Sequence, residues 1–260
     1  MTQFTWKKDV EITAADIPES TTEIIFYDGF NQPIGPNVLP DSLEIIIFGD
    51  GFNQPIGPNV LPDSLKIVIF GDIFNQPIGP NVLPEYLKTI EFGDEFNQPI
   101  YQNVLPEYLE TIIFGWNYNQ PIGPNVLPDC LKSISYERDY NQPMTALYHL
   151  NHIECICIFS ENLVEINGRL LPPSLKYLHT DNACVLESLN SESQRMWFHV
   201  IHIDISIMPD ITYPILQWMP YICDGDYEVI GTETINGLVY EKIINPVHYQ
   251  PRSNAKSARK

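Results

Sequence analysis

Aliphatic side chains return every 22 residues along most of this chain. When each unit is numbered from the residue that follows an LP-x-x pattern, Leu43, Leu65, Leu87, Leu109 and Leu131 take position 1. Position 4 then reads Ile24, Ile46, Val68, Ile90, Ile112, Ile134, Ile156, Leu178 and Val200, and position 6 reads Phe26, Phe48, Phe70, Phe92, Phe114, Tyr136 and Ile158. Side chains two residues apart share one face of a strand, so positions 4 and 6 mark the buried face of a short strand in every unit. Position 10 (Phe30 to Tyr140), position 14 (Ile34, Ile56, Ile78, Ile100, Ile122, Met144) and the Val-Leu pair at positions 18 and 19 add further inward groups. A single unit cannot bury this much apolar surface alone. Neighbouring units must stack, each strand pairing in parallel with the next at ~4.8 Å, into a mainly β solenoid about 40 Å long. Its frame extends over about nine 22-residue coils, residues 17–202, and degenerates after about residue 150.

The polar columns explain how a coil closes. Gly49, Gly71, Gly93 and Gly115 follow the strand, where a sharp bend calls for a permissive backbone. Gly-Pro at 35–36, 57–58, 79–80 and 123–124 marks a second corner. Asn31, Asn53, Asn75, Asn97, Asn119 and Asn141 hold position 11, and an amide at one place on every coil forms a ladder that satisfies backbone groups of the bend beside it. Residues 1–16 read as an N-terminal cap, 203–250 as a C-terminal β-containing cap, and 251–260 as a disordered basic tail. Within the C-terminal cap, YEVIGTETI-NG-LVYEKII has two alternating runs around Asn236-Gly237, a tight-hairpin signal.

Positions 3 and 5 face away from the core, and a solvated face is polar there. The early coils instead carry Ile25, Ile45, Ile47, Ile67 and Ile69, with Ile113 further along, whereas later coils carry Thr89, Thr111, Ser133 and Ser135. Clustered outward isoleucines mark a partner-binding surface, for an unknown protein or for a second copy in a homodimer. The N-terminal Phe4, Trp6, Val10 and Ile12 offer a competing cover for it.

Charge narrows the class of partner. A formal charge of −19, with four basic residues confined to the last ten, argues against nucleic acid and against an anionic membrane surface. A basic or apolar protein surface is the better match. Asp28, Asp50, Asp72 and Asp94 line one edge of the strands, and Glu19, Asp41, Asp63, Glu85, Glu107 and Asp129 the other. Acidic groups at turns also accept backbone hydrogen bonds, and that reading is preferred here to a binding rim. Position 2 mixes Glu44, Glu110 and Glu154 with Lys66, Lys88, Lys132 and Lys176, giving cross-strand ion pairs of modest worth.

The pattern LP-x-x-L-x-x-I-x-F-G-x-x-F-N-Q-P-I resembles the FNIP repeat, a relative of leucine-rich repeats known from social amoebae and the giant viruses that infect amoebae. The match is close over residues 17 to about 144 and weakens from Ile153 to His202, where LPPSL at 171–175 persists. The resemblance implies a leucine-rich-repeat-like fold and an interaction role. Many members carry an F-box that links them to a ubiquitin ligase, but the roughly 16 residues before the first coil are too few for that domain.

Chemistry leaves little trace. No phosphate loop, GxGxxG, HExxH or GxSxG pattern occurs, and among outward positions only Glu23 and Glu91 are acidic. No enzyme activity and no cofactor are expected. Cys155, Cys157, His179 and His199 gather on neighbouring coils as weak zinc candidates, without the usual ligand spacing. The absence of any apolar run of membrane-spanning length and an odd number of cysteines suit the cytoplasm, that of the host if the chain is viral. The expected function is a non-enzymatic interaction scaffold using the outward sheet face. The alternatives are an acidic decoy of a nucleic-acid-binding protein and a structural virion or assembly component.

Overall fold

The computed structural model describes residues 2–160, 171–180, 199–203, 228–235 and 238–244. Its strands are β1 (Gln3–Trp6), β2 (Glu23–Phe26), β3 (Ile45–Ile47), β4 (Ile67–Ile69), β5 (Thr89–Glu91), β6 (Thr111–Ile113), β7 (Ser133–Tyr136), β8 (Cys155–Ile158), β9 (Tyr177–Thr180), β10 (His199–Ile203), β11 (Glu228–Ile235) and β12 (Leu238–Ile244). They form one sheet in the order β1 to β10, then β12 and β11. From β2 to β10 every pairing is parallel with partners 22 residues apart, from Ile24↔Ile46 to Val200↔Leu178. The solenoid of 22-residue coils is therefore the fold. Only two short 3-10 turns, Ala14–Asp16 and Met144–Leu147, interrupt the β and irregular backbone among the described residues. No helix there is long and apolar enough to cross a membrane.

The core follows the inward columns. Position 4 is fully buried from Ile24 to Leu178, and the aromatics of positions 6 and 10 interleave as two columns. Phe48 stacks on Phe26 and Phe70 of the adjacent coils at 5.4 Å, and on Phe52 of its own coil at 4.2 Å. Flat rings at one height in every coil give each coil the same apolar surface above and below. In the fifth and sixth coils tyrosine takes over, and burial pushes the Tyr140 phenol up to about 12.

At the N-terminal end of the sheet β1 adds a rung. Phe4 pairs with Ile24 and Trp6 with Phe26, at a separation of 20 rather than 22. The two missing residues lie between Trp6 and Asp9, because Asp9 accepts the Asn31 N–H at 3.0 Å with a separation of 22. At the other end β12 pairs in parallel with β10, and β11 and β12 are antiparallel. The Asn236-Gly237 turn itself, the NLVEI segment at 162–166 and the basic tail lie outside the described residues.

Two turn devices differ from their sequence reading. Gly49, Gly71, Gly93 and Gly115 are buried, and none has a left-handed φ. A Cβ on Gly71 would lie 2.1 Å from the Gly49 carbonyl oxygen, so these glycines serve the close approach of successive coils rather than the bend. The left-handed residue is the one after Gly-Pro, or after Tyr101-Gln102 in the fourth coil: Asn37, Asn59, Asn81, Asn103 and Asn125 have φ of 58° to 65°. Asparagine tolerates that region better than other side chains.

The asparagine ladder runs between coils. Asn31 Oδ1 accepts the backbone N–H of Asn53 at 2.9 Å and the Gln54 Nε2 at 3.0 Å, and the same two bonds repeat through Asn53, Asn75, Asn97 and Asn119. Each amide oxygen thus reaches the following coil, not its own bend. The glutamine column does the same work. Asp9 starts the ladder, with one oxygen accepting from both Asn31 and Gln32, and these bonds hold its carboxyl below the usual range.

Candidate interaction face

Alternation along each three- or four-residue strand turns positions 3 and 5 away from the aromatic core. Ile45 on β3 is the register partner of Ile67 on β4, and Ile25 on β2, Ile47 and Ile69 form a second row. All five are half-buried. They form one apolar surface across three adjacent strands, and β1 lies beside β2 in the sheet rather than across it. Trp6 and Ile12 go into the core and Val10 stays exposed, so the N-terminal segment is not the cover of that face.

Ile113 does not join this surface. It is separated from Ile69 by Glu91 on β5, is only 2% exposed, and packs with Cys155 and Cys157, against which Phe159 and Tyr177 rest. Its expected role as an exposed contact is therefore corrected: a side chain without accessible surface cannot anchor a partner on this face. Burial deepens along the same face. Ser135, Cys157 and His179 are successive register partners at position 5, and all three are buried, so the serines of the later coils are not solvated polar positions.

The cysteine and histidine candidates meet only in part. Cys157 faces His179 one coil on, and the Cys155 and Cys157 Sγ atoms are 3.9 Å apart. His199 lies beside Tyr177, in the other row. Among the described residues no three His, Cys, Asp or Glu side chains converge to hold a metal ion. His179 has neither ring nitrogen hydrogen-bonded, and burial pushes its pKa down to about 3, so it is neutral at physiological pH.

Both edges of the apolar face carry acidic residues, but lysines stand at only one of them. Before the strands, Lys66 pairs with Glu44 at 2.5 Å, and Glu110 bridges Lys88 and Lys132 at 2.7 and 2.5 Å. After the strands stands the aspartate column. Desolvation, then repulsion from Asp94, Asp28 and Glu95, raises the Asp72 pKa; desolvation also raises that of Asp94, against a hydrogen bond from the Trp116 backbone. Asp94 thus accepts from the following coil. No such hydrogen bond offsets the shift at Asp72.

The family model of the FNIP Repeat matches residues 10–51, 30–73, 52–95, 74–117, 96–136 and 118–146. The chain belongs to the FNIP repeat family. Among solved structures this FNIP repeat protein is similar to CroV588 of a giant virus, described as a novel circular LRR protein structure. The two share 36% sequence identity with a TM-score of 0.62 over 69% of this chain and 30% of that one. The chain therefore spans less than a third of that neighbour's length, and the neighbour points to a viral or amoebal context. No curated protein matches. Leucine-rich-repeat-like solenoids of this kind are typically non-enzymatic.

Several exposed aromatics of the FNIP repeat protein escaped the column reading. Ser42 and Ser64 donate to Thr21 and Leu43 carbonyls at 2.7 and 2.6 Å, whereas Tyr86 and Tyr108 replace them two coils on. Those two rings stack at 5.5 Å, with Lys88 Nζ 5.7 Å from the Tyr108 centroid. Tyr101 stands where other coils have glycine and is 67% exposed. The signal was available: each of these residues breaks its column at a surface position.

Proposed function

We propose that this chain is a non-enzymatic cytoplasmic scaffold that holds a protein partner on the outward face of its repeat sheet. The observation that carries the reading is the block of five half-buried isoleucines on three adjacent strands. Strand propensity explains a β-branched residue at each site, but threonine satisfies it equally without exposing apolar surface. A contiguous apolar patch of this kind marks an interaction surface, and solenoids present such faces to partners.

The test compares affinity capture by the tagged wild type and by Ile45→Thr/Ile47→Thr/Ile67→Thr, at low and high salt. A scaffold keeps its partner at high salt and loses it in the variant, with unchanged circular dichroism and melting temperature. Capture that vanishes with salt yet survives in the variant indicates the acidic decoy instead. Concentration-dependent self-association in sedimentation velocity indicates an assembly component. A stability loss of about 2–5 kcal/mol, the range of core truncation, would place the isoleucines in the interior and refute the reading.

A further inference from the structure

The partner's chemistry and shape follow from what borders the isoleucines, and this inference rests on the sheet-face reading above. On one edge the charges are matched by lysine–glutamate pairs within 2.7 Å. The other edge carries Asp28, Asp50, Asp72 and Asp94, one carboxylate per coil, with the pKa of Asp72 raised by desolvation and by its neighbours' charge. Ionised Asp72 and Asp94 are held at an electrostatic cost that cationic side chains would relieve. Acidic residues border the isoleucines on both sides, but Lys66 and Lys88 stand only before the strands, so the edge after them is the one without cations.

Coil spacing selects the shape. An α-helix laid along the solenoid axis repeats every ~5.4 Å, against ~4.8 Å per coil, so a row of side chains slips by only about 2 Å between Asp28 and Asp94. An extended segment laid the same way repeats every ~6.7 Å on one side and slips by about 6 Å, more than a whole coil. We propose that the face binds an amphipathic, basic α-helix of a protein partner. Its apolar stripe rests on Ile25, Ile45, Ile47, Ile67 and Ile69, and its Lys or Arg row faces Asp28, Asp72 and Asp94.

Fluorescence anisotropy with a labelled 18-residue Leu/Lys peptide of helical periodicity tests this directly. Three comparisons are needed: a scrambled peptide of the same composition, a Leu/Glu peptide of the same periodicity, and three protein variants. The helical Leu/Lys peptide should bind roughly tenfold or more tightly than either control. Asp28→Asn/Asp72→Asn/Asp94→Asn should weaken it about tenfold and flatten its salt dependence, while Asp41→Asn/Asp63→Asn/Glu85→Gln, which removes equal charge from the other edge, should leave it within about twofold. No binding, equal loss in both charge variants, or equal binding of the scrambled peptide overturns the proposal. Loss in Ile45→Thr/Ile47→Thr/Ile67→Thr without loss in the Asp28 variant overturns the basic helix but leaves the face as a docking surface. Unchanged binding in the isoleucine variant overturns both.

Discussion

Asn75→Ala cuts the asparagine ladder in the middle of the solenoid. The Asn75 Oδ1 accepts the Asn97 backbone N–H and the Gln98 Nε2, both at 3.0 Å. Truncation leaves the Asn97 N–H without its acceptor, whereas Gln98 keeps the Asn75 carbonyl at 3.2 Å. One bond is lost outright and one is weakened, at a net worth of about 0.5–1.5 kcal/mol each, so the variant should lose about 1–2 kcal/mol. Asn141→Ala is the internal control. Among the described residues its Oδ1 accepts only from Gln142 Nε2, which also reaches Asn119 Oδ1, so the cost should stay within about 0.5 kcal/mol. Asn75→Asp should retain most of the stability at neutral pH, since Asp9 fills the same place at the start of the ladder. Urea unfolding followed by both circular dichroism and tryptophan fluorescence gives the comparison, with coincident transitions licensing a two-state fit. If Asn75→Ala changes stability by less than about 0.5 kcal/mol, or Asn141→Ala costs as much, the ladder does not couple the coils and the reasoning fails.

Two further perturbations probe the fold. Gly71→Ala forces a Cβ to 2.1 Å from the Gly49 oxygen and should cost at least about 2 kcal/mol, while Gly57→Ala meets nothing within 4 Å and should be neutral or slightly stabilising in thermal melts; equal effects would refute the close-approach explanation. His179 is neutral in the fold down to about pH 3, but its unfolded form takes up a proton below its ordinary 6.5. The unfolded state therefore binds more protons between those values, and stability falls as pH drops through that window. His179→Phe should flatten that slope in urea melts at pH 7 and 4.5; an unchanged slope would mean that the imidazole is charged or paired in the fold.

The strand frame was legible because a solenoid is nearly one-dimensional. Each coil touches its neighbours, so a period of 22 in the chain becomes a stack in space, and Ile24 to Leu178 are buried where alternation puts them. The outward isoleucines were found by the same rule, since side-chain direction in a strand depends only on odd or even position. What covers a face does not. Ile47 and Ile113 occupy the same position in their coils, yet one is half-buried and the other 2% exposed, because burial depends on what packs beside it, here Cys155 and Cys157. The reach of an amide is also a tertiary fact: Asn53 bonds Asn75 because 22 residues of chain return to within 3.0 Å. So too is the role of Gly71, whose neighbour is the carbonyl of Gly49 one coil away. Sequence determined which side chains point inward through local geometry alone, while the three-dimensional return of the chain decided which outward groups stay in contact with water and which backbones must pass close enough to exclude a Cβ.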